Sequence, residues 1–370
     1  MNRMEMSKSP LVAVAMSGGV DSSVAAALLK ENGYSIVGVM LRLWSEPGLE
    51  DNNRCCTPDA VMQARRVAAR LGFPFYVIDS REYFYKTIVQ GFITGYESGV
   101  TPNPCMICNE KVRWGFLLEQ AKGLGAEFLA TGHYARVQQK EGGRFSLRRA
   151  IDDLKDQSYV LSRLNQQQLK HTLCPLGDYK KTDVRAIAQK YNLETALRKE
   201  SQDLCFLGDN DYREFLGRNS STAFPRGEIV DRKGKILGTH EGLPFYTIGQ
   251  RKGLGIAADK PLFVIEKDQE NNRLVVGYER ELSFNGLLAD DASWIAGTAP
   301  MGDFRAEVKI RYKAKLAPAI VTIIDEKNFR VSFDEPLRDV TPGQYAVIYD
   351  GDIVLGSGVI RKTHSEVNAI

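Results

Sequence analysis

Two groups of residues in this 370-residue chain have the types and spacing to do chemistry. The first is Ser17-Gly18-Gly19-Val20-Asp21-Ser22-Ser23, directly after the apolar run from Leu11 to Met16. Adjacent glycines let the backbone approach an anion closely, and successive N–H groups at a helix N-terminus supply partial positive charge. Ser17, Ser22 and Ser23 add hydroxyls, and Asp21 is suited to hold Mg²⁺ or to cap the helix. No Gly-Lys-Ser/Thr follows the glycines, so this is not a Walker A loop, and it is not the dinucleotide fingerprint either. A plain capped strand-to-helix turn is the competing reading.

The second group is thiols. In Thr101-Pro102-Asn103-Pro104-Cys105-Met106-Ile107-Cys108-Asn109 two prolines restrict the backbone, so Cys105 and Cys108 are presented in a defined geometry. A third thiol, Cys205, lies far along the chain in Glu200-Ser201-Gln202-Asp203-Leu204-Cys205-Phe206. A thiolate near a helix N-terminus or basic side chains has a lowered pKa and becomes a nucleophile or a sulfur carrier. The spacing of Cys105 and Cys108 equally suits a redox pair or two ligands of an iron–sulfur cluster. Zinc, held in part by the adjacent Cys55 and Cys56, is a third option, and those two cysteines are otherwise unassigned. Cys174, beside a proline, reads as a small buried residue.

These residues need a scaffold, and the first two hundred residues describe one. Strands are expected at Leu11–Met16, Ile36–Leu41, Phe75–Ile78 and Phe128–Thr131. Helices are expected from Ser22 to Asn32, closed by Gly33, from Pro58 to Leu71 on the spacing of Ala60, Ala64, Val67, Ala68 and Leu71, and from Glu110 to Gly123. Strands alternating with helices imply a doubly wound α/β domain with a parallel sheet, over residues 1–210. Residues 211–280, rich in Gly and Pro with short apolar runs, read as a small, mostly β central domain. Residues 281–370 read as an antiparallel barrel, with strands at Phe304–Tyr312, Ala319–Ile324, Phe329–Phe333, Tyr345–Tyr349 and Ile353–Ile360.

Composition sets outer bounds. A hydrophobic fraction of 43% with 26% charged residues is that of an ordinary globular protein. No apolar run is long enough to span a membrane, and the N-terminus lacks the apolar core of a secretory signal, so the expected location is the cytoplasm. Six cysteines in a large cytosolic chain are not expected to form a disulfide framework. The net charge of +3 does not by itself imply nucleic acid, because local patches matter more than the sum.

The loop at 17–23 resembles the PP-loop of the ATP pyrophosphatases, which release pyrophosphate and attach AMP to a substrate oxygen. The ordered set of further segments resembles bacterial tRNA-specific 2-thiouridylases over nearly the whole chain. That set comprises Thr101 to Asn109, Thr131-Gly132-His133-Tyr134, Lys155-Asp156-Gln157-Ser158-Tyr159, Ser201 to Phe206, Tyr246 to Arg251 and Thr341-Pro342-Gly343-Gln344. The resemblance implies an enzyme that adenylates the C2 oxygen of the wobble uridine of tRNA and replaces it with sulfur, giving 2-thiouridine, AMP and pyrophosphate. ATP would lie against Ala15, Met16, Ser17, Gly18, Gly19, Val20, Asp21 and Ser22, with Met40 and Gly132 completing its crevice at the strand ends. Cys205 would receive sulfur as a persulfide from a relay protein or a cysteine desulfurase, and Cys108 would be the catalytic nucleophile, with a disulfide between them. Asn103, Pro104 and Cys105 would meet the target base, flipped from its stack. His133, Lys155, Asp156, Gln157, Arg311, Tyr312 and Gln344 would lie close to the tRNA. Many family members carry aspartate where Cys105 stands. With Cys108 and Cys205, this third thiol opens a second route through a [4Fe–4S] cluster.

Overall fold

The computed structural model describes residues 9–49, 57–197, 204–208 and 211–364. Cys55 and Cys56, and residues 201–203 of the segment before Cys205, lie outside them. The chain divides into two compact units: residues 1–88, 105–210 and 352–354 form the first, and residues 89–104, 211–351 and 355–370 the second.

The first unit is built on a parallel sheet. Strands β1 (Leu11–Ala15), β2 (Ser35–Arg42), β3 (Phe75–Asp79), β4 (Phe128–Ala130) and, after an antiparallel hairpin of β5 (Ala135–Gln139) and β6 (Phe145–Arg149), β7 (Thr172–Leu173) appear in chain order. The sheet order is β3-β2-β1-β4-β7, and every neighbouring pair is parallel. β1 is central, with Val12, Ala13 and Val14 fully buried, as expected of a strand covered on both faces. The strand order reverses beside β1, so the loops after β1 and β4 flank the position where doubly wound sheets hold their ligands.

Helix α1 (Val20–Glu31) follows β1 and buries Ser22, Ser23 and every residue from Val24 to Leu29, which explains its nearly uniform apolar composition. Helix α2 (Pro58–Leu71) is amphipathic instead, burying Ala60, Ala64, Val67 and Ala68. Its ends are fixed locally. The Thr57 hydroxyl accepts the Ala60 N–H at 3.1 Å, Pro58 occupies the first turn, and Gly72 turns left-handed at φ 69°. The segment expected to be one helix from Glu110 is longer and unusually wound. A short α-turn, Pro104–Ile107, leads into a π-helical stretch, Cys108–Leu117, and then α-helix to Gly123. The wide turns leave carbonyls free, and the Gln168 amide donates to those of Glu110 (3.1 Å) and Trp114 (3.2 Å). Helix α3 (Lys181–Lys190) packs against α1.

The second unit holds a four-stranded sheet and a closed barrel. β8 (Gly227–Asp231), β9 (Ile236–His240), β10 (Phe263–Asp268) and β11 (Arg273–Gly277) pair in the order β10-β11-β8-β9 around Ile229, Val264, Leu274 and Val276. β12 (Phe284–Trp294), β13 (Asp303–Lys309), β14 (Ala317–Ile323), β15 (Phe329–Leu337), β16 (Tyr345–Asp350) and β17 (Ile353–His364) run β12-β15-β14-β13-β16-β17, and the β12–β17 pairing closes the ring. Closure removes both sheet edges. The five expected barrel strands are all present. The sixth, β12, carries Asp290-Asp291, with Asp291 at φ 46° where the pairing register shifts, and this irregularity hid it from an alternation pattern. Among the described residues no helix is long and apolar enough to cross a membrane.

Candidate functional site

The loop after β1 is shaped by its glycines. Gly18 sits at φ 69°, and a Cβ there would lie 2.5 Å from the Ala60 carbonyl oxygen of α2, so no other residue fits without moving backbone. The expected hydroxyl donors are partly engaged within the loop. Ser22 Oγ accepts the Ser17 N–H (3.2 Å) and donates to the Gly19 carbonyl (3.2 Å), and Ser23 Oγ donates to the same carbonyl (2.8 Å). Ser17 is exposed, and Gly19, which caps α1, has no side chain to block its mouth. The loop therefore presents Ser17 and helix-end N–H groups to an incoming anion. Of the other residues expected around ATP, Ala15 is half-buried at the end of β1, while Met16, Val20 and Met40 are buried in the apolar core.

Gly132 follows β4 and touches α1 directly: a Cβ would meet Ser22 N at 2.7 Å and the Asp21 carbonyl carbon at 2.8 Å. It therefore lets the β4 loop close onto the phosphate loop. Asp21 is not a helix cap. Its carboxylate accepts the Tyr134 hydroxyl (2.8 Å) and both its oxygens face Lys181 Nζ, at 2.7 and 2.8 Å. Lys181, Tyr134 and Arg113 had no assigned role in the sequence. The signal for Lys181 was its position, a lysine at the positive end of a helix, where a cation is unfavourable.

Behind this cluster is a neutral one. His133 is buried, with Nε2 at 3.1 Å from Arg113 Nη1 and Nδ1 at 2.8 Å from Thr131 Oγ1. A guanidinium only donates, so Nε2 accepts and the proton sits on Nδ1. Burial first, and the Arg113 charge second, hold His133 well below the usual imidazole range. The ring is thus a fixed spacer for Arg113 and not a proton shuttle near neutrality. Cys174, expected to be buried, is half-buried by exposure, and desolvation pushes its thiol up to about 12 against the opposing effect of a hydrogen bond with Thr131.

The thiols are placed by different means. On the turn Pro104–Ile107, Met106 is fully buried, Cys105 is exposed and Cys108, opening the π-helical stretch, is half-buried. Asn109 fixes that stretch by donating to the Val160 carbonyl (3.0 Å), and Arg163, itself buried, pairs with Glu110 (2.6 Å). Half-buried Cys205 precedes Phe206, which packs edge-on against Phe84 at 6.1 Å. Cys105, Cys108 and Cys205 stand as thiols. Among the described residues no three His, Cys, Asp or Glu side chains converge as metal ligands. The expected [4Fe–4S] set of Cys105, Cys108 and Cys205 is therefore not assembled; the turn that buries Met106 leaves Cys105 exposed.

Two of the residues expected near tRNA make internal bonds as well. Asp156 is buried, its carboxylate accepting from Ala150 N, Ser158 N and Ser158 Oγ at 3.0–3.1 Å, so it braces the exit from β6. The Gln157 side chain accepts the Tyr134 N–H (3.0 Å) and so positions that tyrosine. Half-buried Lys155 lies between them and the solvent-exposed Leu154.

In the second unit three distant motif segments converge. Gln344 Nε2 donates to the Thr101 carbonyl (2.8 Å) and its Oε1 accepts from Asn103 Nδ2 (3.4 Å), while Thr101 N donates to the Pro342 carbonyl (2.9 Å). Arg311 Nη2 donates to the Ile248 carbonyl (3.1 Å) and to Thr341 Oγ1. Tyr312 carries Lys309 Nζ over its ring at 5.8 Å. Asn103, Gln344 and Arg311 are therefore neighbours in one joint, along with Pro104 at the end of that segment.

Comparison with known proteins agrees with this architecture. Family profiles described as a tRNA methyl transferase HUP domain, a tRNA methyl transferase PRC-barrel domain and an aminomethyltransferase beta-barrel domain match residues 10–209, 213–278 and 284–360. Among curated relatives, the tRNA-specific 2-thiouridylase MnmA of Moorella thermoacetica is 48% identical over 94% of this chain and 99% of its own, and that of Carboxydothermus hydrogenoformans 47% over 95% and 97%. A solved U34-tRNA thiolase, NcsA from Methanococcus maripaludis, aligns at 20% identity and a TM-score of 0.34 over 60% of this chain and 70% of its own, too distant to support any inference. The profile descriptions mention methyl transfer and the relatives thiolation; the relatives decide, because they match from end to end at nearly half of all positions. The chain belongs to the family of tRNA-specific 2-thiouridylases.

Proposed function

We propose that this protein uses ATP to thiolate tRNA, converting the wobble uridine to 2-thiouridine. The observation that carries the reading is the phosphate loop at the switch point between β1 and β4, in one unit with Cys108 and Cys205. A carbonyl oxygen is a poor leaving group, and adenylation makes it a good one. The uridine O2 attacks the α-phosphorus of ATP and pyrophosphate departs. Asp21 is the carboxylate suited to hold the Mg²⁺ that accompanies ATP, which would offset phosphate charge.

Sulfur arrives as a persulfide on Cys205, delivered by a persulfide-carrying relay protein or a cysteine desulfurase. Its terminal sulfur attacks C2 and AMP leaves. The Cys108 thiolate then attacks Cys205 Sγ, breaking the sulfur–sulfur bond, so the electron pair of that bond stays on the C2 sulfur as 2-thiouridine. Cys108 and Cys205 end as a disulfide, to be reduced before the next cycle. Asn103, Pro104 and Cys105 receive the target base, and Arg311, Tyr312 and Gln344 belong to the tRNA-facing part of the second unit. That Cys105, Cys108 and Cys205 form no group of metal ligands among the described residues supports the persulfide route.

The test is anaerobic thiolation of unmodified tRNA by iron-stripped protein with ATP, Mg²⁺ and a persulfide donor. We expect 2-thiouridine from the natural sequence and none from Cys108→Ala or Cys205→Ala. Thiolation that appears only after reconstitution with iron and sulfide would overturn the persulfide route. No thiolation under either condition would overturn the function.

A further inference from the structure

Neither the thiolation scheme nor helix stability accounts for Lys181. As the first residue of α3 it lies at the positive end of the helix dipole, where a lysine is disfavoured. Its side chain is 12% exposed, and the ammonium is bonded to both oxygens of Asp21 and sits 5.6 Å from the centre of the Tyr134 ring. Three elements hold it there. The Lys181 N–H donates to Asp152 (2.9 Å), Asp21 is fixed in the first turn of α1, and Gln157 pins the Tyr134 backbone while the Tyr134 hydroxyl reaches Asp21. A partly buried ion pair is a poor source of stability compared with apolar side chains of the same volume, so stability alone is a weak reason for it.

The phosphate loop gives a better reason. Residues 17–23 contain no basic side chain, so the donors they offer a nucleotide are N–H and O–H groups without formal charge. A nucleoside triphosphate brings several negative charges, and the pyrophosphate it releases carries more than the bound ester did. A cation is needed, and Lys181 stands beside the second residue of α1. We propose that Lys181 is a phosphate-binding residue of the nucleotide site, contacting the pyrophosphoryl part of ATP, and that Asp21 and Tyr134 hold it ready before nucleotide binds. When ATP binds, the flexible four-carbon stem swings the ammonium from the Asp21 carboxylate to phosphate oxygens. No bond is made or broken in this step. The inference rests on the ATP reading above.

The experiment is calorimetric titration of the full chain with ATP and with AMP, in the same Mg²⁺ buffer, for the natural sequence, Lys181→Gln and Lys181→Arg. AMP lacks the pyrophosphoryl part, so its affinity reports a folded site without the contact. Lys181→Gln should lower ATP affinity by about 10- to 100-fold, the range of one charge-assisted contact, and leave AMP affinity nearly unchanged. Lys181→Arg, which keeps the charge, should retain most of the preference for ATP. Equal losses for both nucleotides, or no loss for either, would overturn the proposal. A chain of natural sequence that binds neither nucleotide would overturn the ATP reading itself and this inference with it. A second measurement uses no variant: acetylation of Lys181, followed by mass spectrometry, should be slowed by ATP and not by AMP, and equal protection would refute the contact.

Discussion

At the end of the parallel sheet, Asp21 and Lys181 keep two full charges beside a loop whose own donors are uncharged. In the second unit, the joint of Thr101, Asn103 and Gln344 is made of amides, a hydroxyl and backbone groups, and its one cation, Arg311, donates to a backbone carbonyl and a threonine hydroxyl. Both regions are assembled from motif segments far apart in the chain. The first keeps its charges where a ligand can exchange partners with them; the second uses its polar groups to satisfy backbone. Motif residues therefore divide into those that do chemistry and those that hold a chain path, and residue type alone does not sort them. Asp156 and Gln157 both make internal bonds that hold the chain path.

Substituting the two junction glycines tests this contrast most strongly. Gly132→Ala places a methyl 2.7 Å from Ser22 N and 2.8 Å from the Asp21 carbonyl carbon, both backbone atoms that cannot yield locally. Gly343→Ala places one 2.8 Å from the Thr101 carbonyl oxygen at φ 89°. Each should cost about 2–4 kcal/mol of stability by overpacking and strain. Only Gly132→Ala should abolish ATP binding measured by calorimetry. Loss of ATP binding in Gly343→Ala would break the comparison.

A smaller effect is expected at Gln344. Gln344→Ala removes the donor to the Thr101 carbonyl and the acceptor for Asn103, a loss of about 1–2 kcal/mol. Faster amide hydrogen exchange at Thr101 and across residues 341–344, with unchanged ATP affinity, is the result that sharpens the contrast. Unchanged exchange would mean the joint does not depend on this side chain.

The mildest effect is a pH slope. The folded state keeps His133 neutral below its ordinary pKa, whereas the unfolded chain protonates it as pH falls through about 6.5. Between the lowered folded value and 6.5 the unfolded state binds more protons, so this contribution is fully present above 6.5 and is lost as pH falls below it. His133→Gln should remove up to about 1.4 kcal/mol per pH unit from the slope of unfolding free energy between pH 6.5 and 5. An unchanged slope in denaturant titrations would show that His133 is protonated in the folded protein.

Much of the framework was legible in advance because its signals are local. The period of Ala60, Ala64, Val67 and Ala68 with Thr57, Pro58 and Gly72 at the ends specifies α2, and the glycines after β1 announce a close approach of backbone to something. Less local features were not legible. The π-helical winding of 108–117 depends on Gln168 reaching the freed carbonyls from 58 and 54 positions away, and β12 is a strand because β15 and β17 pair with it on either side.

By itself the sequence determined the parallel sheet, the phosphate loop, the barrel and the thiols that could carry sulfur, since periodicity, turn chemistry and residue type are properties of short segments. Tertiary structure alone decided what those residues do with their charges. It gave Asp21 to Lys181, 160 residues away, buried His133 against Arg113 in its neutral form, and left Cys105 exposed. Protonation, ion pairing and ligand convergence depend on desolvation and on distances of a few ångströms, and only the folded chain sets either of them.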